Sequence, residues 1–118
     1  MSANSGAPWE NAAAEYLKRQ GAAILARNYR RGSGEVDLIA RMDGTIVFIE
    51  VKQRASFLRG TPGEAVGRAK QARISSAALY FLKELRLLDE RIRFDVIEID
   101  PDGVRHIKSA FPYIGQGR

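Results

Sequence analysis

Two apolar runs, residues 34–42 and 45–52, meet at Asp43-Gly44, and this stretch constrains the chain more than any other. An Asp-Gly pair supplies the positive φ angles of a two-residue turn, so the stretch predicts a β-hairpin. With the turn centred there, opposed positions sum to 87, which sets Asp37 against Glu50 and Glu35 against Lys52. Side-chain direction repeats every two residues, so all four project from one face. A bulged three-residue loop would instead make Asp37 and Glu50 diagonal neighbours. Directly opposed like charges destabilise a strand pair. A divalent cation reverses that sign, because both carboxylates attract it. Hard oxygen donors suit Mg²⁺ or Mn²⁺, and a lysine two residues after the second carboxylate can offset developing charge or position water.

The second hairpin strand is apolar on both faces, with Ile46 and Phe48 on one and Val47, Ile49 and Val51 on the other. That pattern predicts a central strand covered on both sides, with Glu50 and Lys52 at its C-terminal end, where ligand sites collect in α/β sheets. Upstream, Pro8 opens a helix over 9–20 that Gly21 stops, with Glu10 sharing the inward face of Ala13, Ala14 and Leu17. Glu10 reads either as a site residue or as an acidic group favouring the helix N-terminus. A strand over 22–29 leads to a Gly- and Ser-containing loop at 30–34 whose backbone is open enough to approach a phosphate.

Downstream, residues 53–67 read as an irregular segment over the site. A second helix follows over 67–86, with Lys70 heading its apolar stripe of Ile74, Ala77, Phe81 and Leu85. Lys70 there suits either a site role or snorkelling over apolar surface. Strands at 93–99 and 104–107 flank a turn at 100–103. Asp95 and Glu98 point to opposite faces of their strand. His106, the only histidine, has no second histidine or carboxylate motif beside it in sequence, so it is not expected to do chemistry. The order α-β-β-β-α-β-β predicts one α/β domain over 9–112, a mixed central β-sheet flanked by helices, with tails at 1–8 and 113–118.

Composition narrows the chemistry further. The chain has no cysteine, which excludes thiolate metal sites and disulfides and fits a reducing, cytoplasmic setting. No apolar run is long enough to span a membrane, and the N-terminus lacks the pattern of a secretory signal. Nineteen Lys and Arg against fourteen Asp and Glu give a net charge of +5, which favours polyanionic partners. Arg30, Arg31, Arg54, Arg59 and Arg68 near the strand ends are the candidate phosphate contacts.

Asp37 with Glu50-Val51-Lys52 resembles the acid…(D/E)-x-K signature of the PD-(D/E)xK nuclease superfamily, whose fold is restriction-endonuclease-like. Glu10…Ala13…Tyr16-Leu17, Arg27-Asn28-Tyr29-Arg30, residues 34–40, Phe48 to Lys52 and Arg93 to Val96 together resemble the YraN-like family of small bacterial proteins. That likeness covers most of residues 9–111. Within the superfamily it is nearest to Holliday-junction resolvases, and it implies Mg²⁺-dependent phosphodiester hydrolysis. It further implies Asp37 and Glu50 as metal ligands together with the Val51 carbonyl, and Lys52 as the residue orienting water. Glu10 matches a first-helix glutamate, and Lys70 falls on a family position without an assigned role; Glu10, Glu35 and Lys70 are the candidate accessory residues. Val36 stands where the superfamily signature has proline.

The expectation is therefore an endonuclease acting on DNA, branched DNA included, either as a monomer or as a homodimer. The competing reading is a non-catalytic nucleic-acid-binding module on the same fold. A simpler alternative for the charged residues themselves is an ion-pair ladder, with Lys52 neutralising Glu35 and Arg41 or Arg54 neutralising Asp37.

Overall fold

The computed structural model describes residues 8–54 and 66–115. The elements are α1 (Pro8–Arg19), β1 (Ala23–Arg31), β2 (Gly34–Met42), β3 (Thr45–Gln53), α2 (Arg68–Glu84), β4 (Arg91–Asp100) and β5 (Gly103–Ile107). This is the α-β-β-β-α-β-β order that the hydrophobic patterning predicts. Most of the irregular segment, including Arg59, falls outside the described residues, as do the first seven positions and the last three.

The five strands form one sheet in chain order, β1-β2-β3-β4-β5. Only β3 and β4 are parallel, and α2 lies in the crossover between them. Parallel neighbours require such a crossover, whereas the hairpins of the other pairs do not. The two sheet faces carry separate cores. Ile46 and Phe48 pack with Ile74, Ala77, Ala78 and Phe81 of α2. Val47, Ile49 and Val51 pack with Ala13, Ala14 and Leu17 of α1. Strand β3 is thus buried on both faces, as its uninterrupted apolar sequence requires. No described helix is long and apolar enough to cross a membrane.

The turns follow local chemistry. Asp43 (φ 49°) and Gly44 (φ 76°) both adopt positive φ, as a tight hairpin turn demands. Residues 30–34 do not form the open loop expected of them. Arg30 and Arg31 continue β1, and Gly32-Ser33 make a tight turn directly into β2. Hydrogen bonding between the two strands runs to Arg31 opposite Gly34, which reduces the expected loop to two turn residues. At the other end, Asp100 closes the β4–β5 turn by accepting the N–H groups of Asp102 and Gly103. The chain stays docked past residue 112, where the Ile114 N–H donates to Ser75 Oγ on α2.

Candidate metal and phosphate site

The hairpin register is the expected one: Leu38 opposes Ile49 and Met42 opposes Thr45. Strand pairing stops at Leu38, however, while β3 continues along β4 as far as Gln53. Where Asp37 would oppose Glu50, its side chain enters the gap and Oδ2 accepts the Val51 backbone N–H at 2.8 Å. A local reversal of facing accompanies this. Leu38 lies in the α1-side core but Val36, two residues away, lies in the α2-side core. Strand β1 reverses in step: Arg27 bonds Asn11 on α1, Tyr29 packs edge-on against Phe81 of α2, and Asn28 between them has φ 49°. A left-handed asparagine in a strand is uncommon but tolerated. Asp37 therefore sits at a kink, between two strands that part.

Glu50 is buried, and its Oε1 atom has no hydrogen-bond partner among the described residues. Burial is the main cause that pushes its carboxyl up to about 8, followed by the neighbouring Asp37 charge, with Lys70 and Lys52 opposing. Lys52, half-buried at the end of β3, thus lies near enough to act on Glu50. Glu10, half-buried in the first turn of α1, is also raised, first by burial and then by the charge of Asp37, while Asn28, Arg27 and Arg30 pull it back. Two elements far apart in sequence therefore bring a third acid into the field of Asp37.

Glu35 does not face Lys52 as an ion pair. It holds Lys70 Nζ at 2.6 Å, Arg73 Nη2 at 2.9 Å and Arg30 Nη1 at 3.2 Å. The Lys70 hydrogen bond is the main cause that holds its carboxyl below the ordinary value. Lys70 also reaches to 3.9 Å from Glu50 Oε2. It is therefore paired with carboxylates, not snorkelling over apolar surface.

The remaining arginines are placed differently from one another. Arg31 pairs with Glu84, and Arg54 pairs with buried Glu98 at 3.1 Å. Arg41 pairs with Glu90. Neither of the arginines proposed to neutralise Asp37 does so, and the ion-pair ladder is not formed. Arg68 is exposed as the first residue of α2.

Among the described residues no group of three or more His, Cys, Asp or Glu gathers as a ready metal cage. The donor set is smaller: the Asp37 and Glu50 carboxylates. It still suits Mg²⁺, which keeps several waters and takes one or two protein carboxylates. Glu50 shares a hydrogen bond with Asp37 and has Lys70 at 3.9 Å, but its buried Oε1 is unsatisfied among the described residues. Such an atom fits a cation, since buried polar atoms are almost always satisfied.

Two features escape the sequence. Arg73 lies one turn after Lys70 on α2, a spacing that could have marked it. The second is a buried network on the α1 side of the sheet. His106 Nε2 lies 2.7 Å from Asp95 Oδ2, and Nδ1 lies 2.9 Å from the Tyr16 hydroxyl. The carboxylate that sequence reading denied His106 is thus present. Asp95 also accepts from Arg93 Nε at 2.8 Å and from the Ser109 N–H at 2.9 Å. Glu98, bonded to Arg54 and Arg105, takes no part in it.

A family model described as uncharacterised protein family UPF0102 matches residues 9–99. A UPF0102 protein of Symbiobacterium thermophilum is 47% identical over 116 residues, covering 94% of this chain and 98% of that protein. One from Lachnoclostridium phytofermentans is 46% identical over 107 residues, covering 90% and 91%. Among solved structures, Pyrococcus furiosus SfsA in complex with Ca²⁺ is similar at a TM-score of 0.32 and 15% identity. It covers 81% of this chain and 57% of that one, and a likeness so loose carries no argument.

Proposed function

We propose that this chain, which belongs to the uncharacterised protein family UPF0102, is a metal-dependent nuclease that hydrolyses phosphodiester bonds in DNA. One observation carries the reading: Glu50 is buried beside Asp37 with Oε1 unsatisfied, and among the described residues no arginine pairs with either carboxylate. Burying two carboxylates side by side is unfavourable even with Lys70 at 3.9 Å, and sites that tolerate it are commonly functional.

Asp37 and Glu50 would hold Mg²⁺ or Mn²⁺, joined by the Val51 carbonyl. Bound there, the ion would polarise the phosphoryl group and lower the pKa of a coordinated water. The chain's own residues have distinct tasks. The Val51 N–H fixes the Asp37 carboxylate at the kink. Lys52, at the end of β3, orients the attacking water and offsets charge developing on the phosphorus oxygens. Glu10 adds negative charge on the α1 side of Asp37, and Lys70 adds positive charge on the α2 side of Glu50. Arg30 and Arg68, exposed near the strand ends, would contact the backbone of the substrate.

The test is cleavage of single-stranded, duplex, flap and four-way-junction DNA with Mg²⁺, with Mn²⁺ and with chelator. Cleavage should require metal and vanish in Lys52→Ala while DNA binding persists. Equal cleavage by both proteins would trace the activity to a contaminant. Metal-independent binding without cleavage of any substrate would establish a binding module instead.

A further inference from the structure

We propose that Glu35 organises Lys70, Arg73 and Arg30 into a receptor for one backbone phosphate of a nucleic-acid strand, beside the Asp37–Glu50 pair. The inference rests on the nucleic-acid reading above and names how the strand is held.

Charge gives the first argument. One carboxylate carries three cations, at 2.6, 2.9 and 3.2 Å, an excess of two positive charges over Glu35, and of the three only Lys70 also faces Glu50, at 3.9 Å. A stabilising surface ion pair requires only one partner and is worth little. Glu35 is mostly covered, whereas the side chains of Lys70, Arg73 and Arg30 are 30%, 52% and 74% exposed. The anchor is therefore inside and the cations are outside, where an anion can reach them. Guanidinium groups present paired N–H donors that match phosphate oxygens.

Rigidity gives the second. The cluster draws on three elements: Arg30 from β1, Glu35 from β2, and Lys70 with Arg73 from α2. Gly34 sets the distance between them. A Cβ at that position would lie 2.5 Å from the Ala77 backbone nitrogen and 2.9 Å from the Arg73 carbonyl oxygen. Only a bare Cα lets the hairpin end press this closely on the helix. The cations are thus held before any ligand arrives, so less ordering is required on binding.

Position gives the third. Lys70 reaches both Glu35 and, at 3.9 Å, Glu50. A phosphate seated on the cluster would adjoin the carboxylate pair, so the strand's next phosphate would lie toward the metal ligands.

The deciding experiment is equilibrium binding of a fluorescent single-stranded oligonucleotide in chelator, across a salt series, with thermal melts to check folding. Glu35→Gln adds net positive charge, so a merely basic surface would bind more tightly. An organised receptor binds several-fold more weakly because its cations lose their common anchor. Arg73→Ala, a change at an exposed side chain, should weaken binding about tenfold, as expected for one lost charge-assisted contact. It should also reduce the log–log salt slope by about 0.7. Lys18→Ala removes the same charge from the exposed face of α1 and should leave affinity unchanged. Inorganic phosphate, at matched ionic strength, should compete better than chloride but only weakly, at millimolar concentration, because it makes one of the strand's several contacts. Tighter binding by Glu35→Gln would overturn the receptor, as would equal losses in Arg73→Ala and Lys18→Ala. Displacement by inorganic phosphate at micromolar concentration would assign the site to free phosphate instead of a strand. Failure of wild type to bind at low salt would remove the nucleic-acid reading itself, a result distinct from neutral variants of a protein that binds.

Discussion

The carboxylate of Asp37 accepts the backbone N–H of Val51, the residue that follows Glu50. That bond explains how two acids stay adjacent in a strand pair that has already parted. It also separates two substitutions that look alike. Asparagine retains an oxygen acceptor and loses the charge, so Asp37→Asn should leave the metal-free protein unchanged or stabilise it by up to about 1 kcal/mol. Alanine abandons the N–H, and Asp37→Ala should cost about 1–3 kcal/mol. Added Mn²⁺ should raise the melting temperature of wild type by mass action and shift neither variant comparably. Thermal melts with chelator and with excess Mn²⁺ check both statements.

Glu50 makes stability depend on pH in an unusual direction. Its carboxyl rises from an ordinary 4.5 to about 8 in the fold, through burial first and the Asp37 charge second. The folded state therefore binds more protons than the unfolded state between these values, and stability falls as pH rises through that window. Glutamine cannot ionise. Glu50→Gln should match wild type near pH 4.5 and exceed it increasingly up to about pH 8, where the difference levels off. Urea unfolding across that range in chelator measures the slope.

Asp95 works in the opposite sense. Burial alone would raise its carboxyl, but hydrogen bonds from His106, Arg93 and the Ser109 N–H prevail and hold it below 3.8. The stability it contributes is present above its unfolded value and is lost as pH falls through the lowered folded value. Asp95→Asn leaves Arg93 without its counter-charge and should cost about 3–5 kcal/mol at neutral pH, read by urea unfolding. The defect should shrink on acidification, as wild type loses the same charge.

Gly34 has no tolerance for a side chain. Because an added Cβ would meet backbone atoms of α2 at 2.5–2.9 Å, neither partner can yield by a rotamer change. Gly34→Ala should destabilise by about 1–3 kcal/mol, as overpacking does. Gly44→Ala, where an added Cβ meets nothing within 4 Å, should show only the smaller penalty of its positive φ. Chemical denaturation of the two variants gives the comparison.

Much of this site is legible in residue order because alternation and turn chemistry act locally. Asp43-Gly44 fixes Leu38 against Ile49, and the two apolar faces of β3 fall on the two helices as their spacing predicts. The kink is not legible, since nothing short-range says that Asn28 will adopt a left-handed conformation inside a strand. The Glu35–Lys70 contact joins β2 to α2 across the sheet face, and no periodicity spans such a separation. Asp95 and His106 were within reach of inference. A turn at Asp100–Gly103 opposes Ile97 to His106, which puts Asp95 diagonally beside it on the same face.

The crossover between β3 and β4 sets an order of assembly. Strands β1, β2 and β3 form a meander of adjacent hairpins, whose contacts close over short stretches of chain. The parallel β3–β4 pairing and the docking of α2 must wait for a much longer loop to close, which is entropically slower. Asp37 and Glu50 both belong to the meander, while Lys70 belongs to the late helix. The meander alone would hold both acids with only the Lys52 ammonium near, whereas Lys70 reaches Glu50 once the crossover helix docks. Divalent cation present during refolding should therefore accelerate the early step, and Glu50→Gln should do so without any metal.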